Sequence, residues 1–385
     1  MLLTKEDTGL MYLDNASAGI MSKNTLDSIF QYLKFEAANG TRLAYKKFDK
    51  EIQCFYENVK TLINADSVDE IAFLDSSSRA INLIINPYNI HQGDKILTLS
   101  SEFGTTLLAL INCANRVGAK LEVLKCQLDG TFSMESLEDY LKTGIDWVVI
   151  SHVAAQGSIL NPVKEVGELV AKYKSKYIVD GCQAVGQVSI NVKELNCDAY
   201  LASGRKWLCG PRGTGFVYIN KDSKIVAPQL DVASSEFAFD NDSFKIVVTK
   251  TARRFELWER NVANMIGLSR AVANCIEFGE VNIEKMLCRK ANRIRYVVSE
   301  NKKFEIVGNV ESKLGTIGFL AKERQYEQSF RNCLENNNIQ ISYLKKWECP
   351  MFLKNTDLRY IFRISPHYFT SERDIDYVCN IISRF

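Results

Sequence analysis

Lys206 sits in a run of small and turn-forming residues, Ser203-Gly204-Arg205-Lys206-Trp207-Leu208-Cys209-Gly210-Pro211-Arg212-Gly213-Thr214-Gly215-Phe216. Upstream, an apolar run ends on an acid in Tyr177-Ile178-Val179-Asp180-Gly181-Cys182-Gln183-Ala184. A lysine amine condenses with an aldehyde to form a Schiff base. A strand-end carboxylate can pair with a protonated ring nitrogen, which keeps an aromatic ring an electron sink. Together these two residue types suit pyridoxal phosphate (PLP). Two further groups fit the same chemistry. Ser76-Ser77-Ser78 precedes a helical run over 79–85, so hydroxyls and helix N-terminal amides could hold a phosphate dianion; the same triplet also serves as a plain helix cap. Arg363 lies between Phe362 and Ile364 in a strand pattern. An inward guanidinium there needs a partner, and a substrate carboxylate matches its fork.

The elements that must position these residues are legible as alternating patterns. Strands are predicted over 95–100, 120–125, 146–151, 177–179 and 199–202, with helices over 105–116, 133–141 and 163–173 between them. Such alternation means βαβ units, right-handed crossovers and a mostly parallel sheet. A strand over 215–220 follows Lys206 so soon that it reads as antiparallel. Ligands of these sheets bind beyond the carboxyl ends of the strands, where Ser151-His152, Asp180 and Ser203 all fall. A long helix over 261–277 then opens a second pattern of helices and short strands. The expected division is a large domain over 16–262 and a smaller α+β domain over 263–385, with residues 1–15 packed against the smaller one.

Composition narrows the classes. A net charge of +2 gives no electrostatic case for nucleic acid or an anionic membrane. No apolar run reaches the length of a membrane span, and the polar start at Met1-Leu2-Leu3-Thr4-Lys5-Glu6-Asp7 does not read as a signal peptide. Eleven cysteines without a C-x-x-C pair, beside three histidines, argue against zinc. They read instead as small buried hydrophobes in a reducing cytoplasm. No metal is expected.

At this point the chain resembles the class V aminotransferase family of fold-type I PLP enzymes. The resemblance runs from Tyr12-Leu13-Asp14-Asn15-Ala16, through Asp180-Gly181-Cys182-Gln183 and Ser203-Gly204-Arg205-Lys206, to Arg363-Ile364-Ser365-Pro366-His367-Tyr368. The stretch around Lys206 and Arg254-Phe255-Glu256-Leu257-Trp258-Glu259 look most like the isopenicillin-epimerase-like and hercynylcysteine-lyase-like branch, and more distantly like cysteine desulfurases. The resemblance implies a seven-stranded sheet with helices on both faces, a homodimer and a small amino-acid substrate. It implies Lys206 as the catalytic lysine and Asp180 as the partner of the ring nitrogen. Ser77, Ser78, Ser203 and Arg205 would lie at the phosphate, and Phe103 on the ring. Gln183 and His152 would contact the ring oxygen or line the ring's far face. Arg363 and Gln156 would bind the substrate carboxylate.

Departures from the desulfurase pattern bear on the reaction. Phe103 stands where desulfurases carry histidine, and Trp258-Glu259 replaces a Gly-Thr pair. Cys349, in Lys346-Trp347-Glu348-Cys349-Pro350, is the candidate for a desulfurase nucleophile, although its flanks do not match that motif. Cleavage of a C–S bond in a cysteine-derived amino acid is the favoured expectation. Transamination and epimerisation are the alternatives within the family, and an inactive PLP-fold binding protein is the alternative outside catalysis. A nucleotide-binding α/β protein is disfavoured because no G-x-G-x-x-G or P-loop follows an early strand.

Overall fold

Strands covered on both faces are apolar at consecutive rather than alternate positions. Trp147–Ser151, Ala199–Ser203 and Gly215–Ile219 follow that rule and are buried throughout. The computed structural model describes residues 9–240, 243–354 and 357–385. It joins these strands in a seven-stranded sheet, ordered Ile71–Leu74, Gly215–Ile219, Ala199–Ser203, Lys176–Asp180, Trp147–Ser151, Lys95–Leu99 and Lys120–Leu124. Neighbours are parallel except at Gly215–Ile219, which runs against both of its partners. The mostly parallel sheet and its reversed strand are those expected from sequence; the edge strand Ile71–Leu74 was not predicted.

Alternate residues of each strand feed separate cores. Val148 and Ile150 join Tyr32, Phe55 and Tyr56 on one face, while Trp147 and Val149 join Ile81, Ile84 and Leu110 on the other. The connecting helices start and stop at side chains suited to the task. Ser133 caps Met134–Lys142 by accepting the Ser136 amide, and Gly118 ends Gly104–Val117 in the left-handed region at φ 76°.

A four-stranded antiparallel sheet, ordered Phe304–Val307, Ile317–Ala321, Tyr360–Ile364 and Ser342–Lys345, forms the second unit. Its core contains Phe304, Phe319, Phe330 and Phe362, and also Leu13 from the other end of the chain. Met11–Tyr12 pairs in parallel with Ile339–Gln340; residues 1–8 of the segment expected to pack here lie outside the described residues. The Val262–Phe278 helix buries Met265, Leu268 and Val272 in the first core with Ile29 and Phe55. The Glu280–Glu300 helix contributes Ile283 and Leu287 to that core, then Ile294 and Val298 to the C-terminal one. We propose that the seam between the two units lies within this helix, beyond residue 262. Apart from both, Ser235–Asp240 and Ser243–Val248 form an antiparallel hairpin in which Phe239 faces Phe244 and Phe237 faces Ile246, all four exposed.

Candidate active site

The carboxyl ends of the central strands and the start of the Ser77–Ile84 helix surround an open cavity of about 60 Å³. Ser77, Ser78, Phe103, Asp180, Gln183, Ser203, Arg205 and Lys206 all line it, so eight sequence-predicted residues meet at one place. Ser151, Ala155 and Cys182 also line it.

Lys206 is set by a tight turn. The Cys209 amide donates to the Lys206 carbonyl at 2.9 Å, and Gly210 N donates to Gly204 O at 2.8 Å. Cys209 closes this turn in the left-handed region at φ 56°, an uncommon conformation for a residue with a side chain. Gly19 packs against the same turn, where an added Cβ would stand 2.4 Å from the Lys206 carbonyl oxygen. The Lys206 Nζ points toward the Phe103 ring, 6.0 Å from its centroid. Burial above all, with the charges of Arg205 and Arg363, holds the Lys206 amine below its usual pKa, against the pull of Cys182 and Asp180. An amine so placed is available as a base or nucleophile nearer neutrality than a surface lysine.

Hydroxyls gather on the helix side of the cavity. Ser77 Oγ lies 3.1 Å from Ser203 Oγ, and Cys182 Sγ lies 3.1 Å from the same atom. Ser76 caps the helix by accepting the Arg79 amide at 3.1 Å, which leaves Ser77 and Ser78 free to line the cavity. On the sheet side, Asp180 accepts the Cys182 amide at 2.8 Å. Gln183 is fixed by the Trp207 indole, which donates to its Oε1 at 2.8 Å, and by its own donation to the Ala16 carbonyl at 3.0 Å.

The remaining candidates stand elsewhere. His152 does not line the cavity: its Nδ1 meets the Tyr200 hydroxyl at 3.1 Å, and burial pushes its pKa down to about 4. Arg363 and Gln156 share a corner behind Ala155. Arg363 donates to the Ala155 carbonyl at 3.0 Å and to Ser17 Oγ at 2.7 Å, while its Nε is buried without a hydrogen-bond partner. Gln156 donates to the Ser101 carbonyl at 2.7 Å and leaves its Oε1 unsatisfied. Unpaired donors and acceptors are rare in buried positions, so this corner has hydrogen-bonding capacity to spare. Cys349 is fully buried among Leu344, Leu353 and Ile361, and its thiol is pushed up to about 12 by burial. The thiolate is the nucleophile, so a core thiol held protonated does not fit the role offered above.

One residue escaped the sequence reading. Glu102, 1% exposed, accepts the Ser151 amide at 2.8 Å, the Ser151 hydroxyl at 2.5 Å and the Phe103 amide at 3.0 Å. Its only sequence signal is its place beside Phe103.

The donor set fits PLP: hydroxyls, a guanidinium and free helix amides for a phosphate, a carboxylate for a ring nitrogen, and an amine of lowered pKa. The model of the class-V aminotransferases matches residues 11–378. The chain belongs to this family. Among curated family relatives, the cysteine desulfurase of Enterobacter sp. (strain 638) is 29% identical over 308 residues, 78% of this chain and 75% of the relative. That of Escherichia coli O8 (strain IAI1) is 28% identical over 354 residues, 88% and 85% of the two chains. Two solved structures show the same fold. The apo cysteine desulfurase from Thermococcus onnurineus NA1 superposes with a TM-score of 0.87 at 24% identity, covering 97% of this chain and 94% of the other. The cystine C-S lyase C-DES in complex with cysteine persulfide gives 0.86 at 18% identity, covering 98% of both.

Proposed function

We propose that this class-V family member is a PLP-dependent enzyme that cleaves the C–S bond of cysteine or a cysteine-derived amino acid by β-elimination. The observation that carries the reading is the meeting of Lys206, Asp180 and the serine cluster at one cavity. When bound, PLP supplies an electron sink for the charge that develops at the substrate α-carbon. Ser77, Ser78, Ser203, Arg205 and the amides of the Ser77–Ile84 helix start hold the phosphate. Asp180 holds the proton on the ring nitrogen, and Phe103 walls the cavity against water. The Lys206 Nζ takes the proton from the α-carbon and returns one to the leaving group or product. Arg363 turns its fork, with the now unpaired Nε, to the substrate carboxylate, and Gln156 supports it.

Elimination is favoured over a desulfurase route by Cys349. A desulfurase needs an enzyme thiolate to attack the substrate sulfur. Among the described residues Cys182 is the cysteine that lines the cavity, and its thiol is pushed up to about 11 by burial. Without such a nucleophile the products from cysteine are pyruvate, ammonia and sulfide. The test quantifies alanine and pyruvate from cysteine, with cysteine conjugates as further substrates, for wild type and Cys349→Ser. Pyruvate formed equally by both supports elimination. Alanine that disappears in the variant overturns it in favour of a desulfurase, and amino-group transfer to a keto acid points to an aminotransferase. Borohydride reduction after PLP addition should fix the cofactor to the Lys206 peptide; label elsewhere overturns the cofactor site.

The chain is further proposed to act as a homodimer in the cytoplasm. All eleven cysteines are unpaired, as a reducing compartment favours. No helix among the described residues is long and apolar enough to cross a membrane. Support for the dimer is the aromatic hairpin, because an isolated two-stranded sheet is marginal in water without a covering surface.

A further inference from the structure

Glu102 is a buried carboxylate that the mechanism above does not use, and its surroundings give it a task. It links two elements that both line the cavity. Through the Ser151 amide and hydroxyl it grips the end of the Trp147–Ser151 strand; through the Phe103 amide it grips the residue that caps the Gly104–Val117 helix. Three donors converge on its two oxygens, two of them backbone amides that cannot turn round to become acceptors. When ionised, the carboxylate accepts from all three donors at once.

A second carboxylate stands close by. Asp180, on the adjacent strand in register with Ser151, is the charged group facing Glu102. Its hydrogen-bond partners, the Ser151 amide and hydroxyl and the Phe103 amide, are neutral. Burial first, then Asp180, moves the Glu102 carboxyl up to about 7, while the Ser151 and Phe103 hydrogen bonds oppose this.

We propose that Glu102 is a positioning residue for the cofactor: it fixes Phe103 against the cavity and, in its ionised form, adds a second negative charge behind Asp180, so that the site favours a protonated ring nitrogen. This rests on the PLP reading above and deepens it. Asp180 would hold the ring nitrogen of the bound cofactor. Glu102 acts through Asp180 and Phe103.

Glu102→Gln keeps the shape but removes the charge, and it sets an amide NH₂ against one of the two backbone N–H donors whichever way it turns. The measurements are PLP affinity by titration of the apo-protein and the pH midpoint of the bound cofactor's absorbance, neither of which needs substrate. The variant is expected to bind PLP about tenfold more weakly, the loss set by one charge-assisted hydrogen bond. Its absorbance midpoint should move to lower pH, since removing a negative charge disfavours the protonated form. Glu102→Asp, which keeps the charge, should hold the midpoint near that of wild type even if affinity falls. Affinity within twofold of wild type and an unmoved midpoint in Glu102→Gln overturn the proposal. Weaker binding with an unmoved midpoint overturns the electrostatic half and leaves a packing role. Wild type that takes up no PLP overturns the cofactor reading itself, and the proposal with it.

Discussion

At the scale of single residues, the cavity is built from groups whose chemistry is set by what surrounds them. Lys206→Ala removes the base, so turnover should fall below detection while PLP still binds through Ser77, Ser203 and Arg205. Absorbance of the reconstituted variant and a product assay check the two halves separately. Arg363→Lys keeps the charge and loses the fork. Losing that bidentate contact should raise the amino-acid KM at least tenfold, and the spectrum of bound PLP should stay as in wild type. An unchanged KM would move the carboxylate contact to another residue. Lys206 and Asp180 were legible because residue type and strand-end position agree there. Glu102 was not, because a glutamate between serine and phenylalanine reads as ordinary surface charge until the fold buries it. His152 entered through the family resemblance alone; successive side chains at a strand end point to opposite sides, and here Ser151 takes the cavity.

At the scale of elements, close backbone contacts hold the site together. The 345–350 loop lies on the start of the Gly104–Val117 helix, where Gly104 N donates to Glu348 O at 2.8 Å. A Cβ on Gly104 would stand 2.0 Å from the Trp347 carbonyl oxygen. Gly104→Ala should therefore cost about 1–3 kcal/mol of stability, measurable by urea unfolding, and should raise the PLP dissociation constant by displacing Phe103. The loop bearing Lys206 is held from the other side by His367, whose Nε2 meets the Trp207 carbonyl at 3.0 Å and whose ring stacks on Trp207. Burial pushes the pKa of His367 down to about 4. Because that lies below the free value of about 6.5, its contribution is intact above pH 6.5 and is lost as pH falls toward 4. Glu102 changes stability in the opposite sense over this range, so His367 is best isolated by comparing variants. The stability advantage of wild type over His367→Gln should shrink by about 2 kcal/mol between pH 7 and pH 5. A constant gap would mean that the imidazole is not kept neutral in the fold.

At the scale of the whole molecule, the mostly parallel sheet with its reversed strand was predictable because consecutive apolar runs alternate with well-capped helices. The Ile71–Leu74 edge strand and the aromatic hairpin were not. The first is a four-residue run that cannot be told from a helix segment by periodicity. The second lies between the 215–220 strand and the 261–277 helix, outside the alternating strand and helix pattern that carries the sheet. If the hairpin is covered by a second copy, Phe239→Asp with Phe244→Asp should shift the scattering mass from dimer to monomer at micromolar concentration. A wild type already monomeric and active would remove the homodimer from this account.

The pairing of chain ends has a consequence for biosynthesis. Asn15 donates to the carbonyl of Ser365, 350 residues away, and Leu13 completes a core made otherwise of C-terminal side chains. Gly19, only a few residues on, packs against the Lys206 turn. At about 5–20 residues per second, the early segment waits through most of translation before its partner strand exists. The seven-stranded sheet can form while the chain is still on the ribosome, but the catalytic turn receives its backing only at the end. Nascent chains stalled before Tyr360 should therefore resist protease across the sheet, remain cleavable near Leu13, and fail to retain PLP.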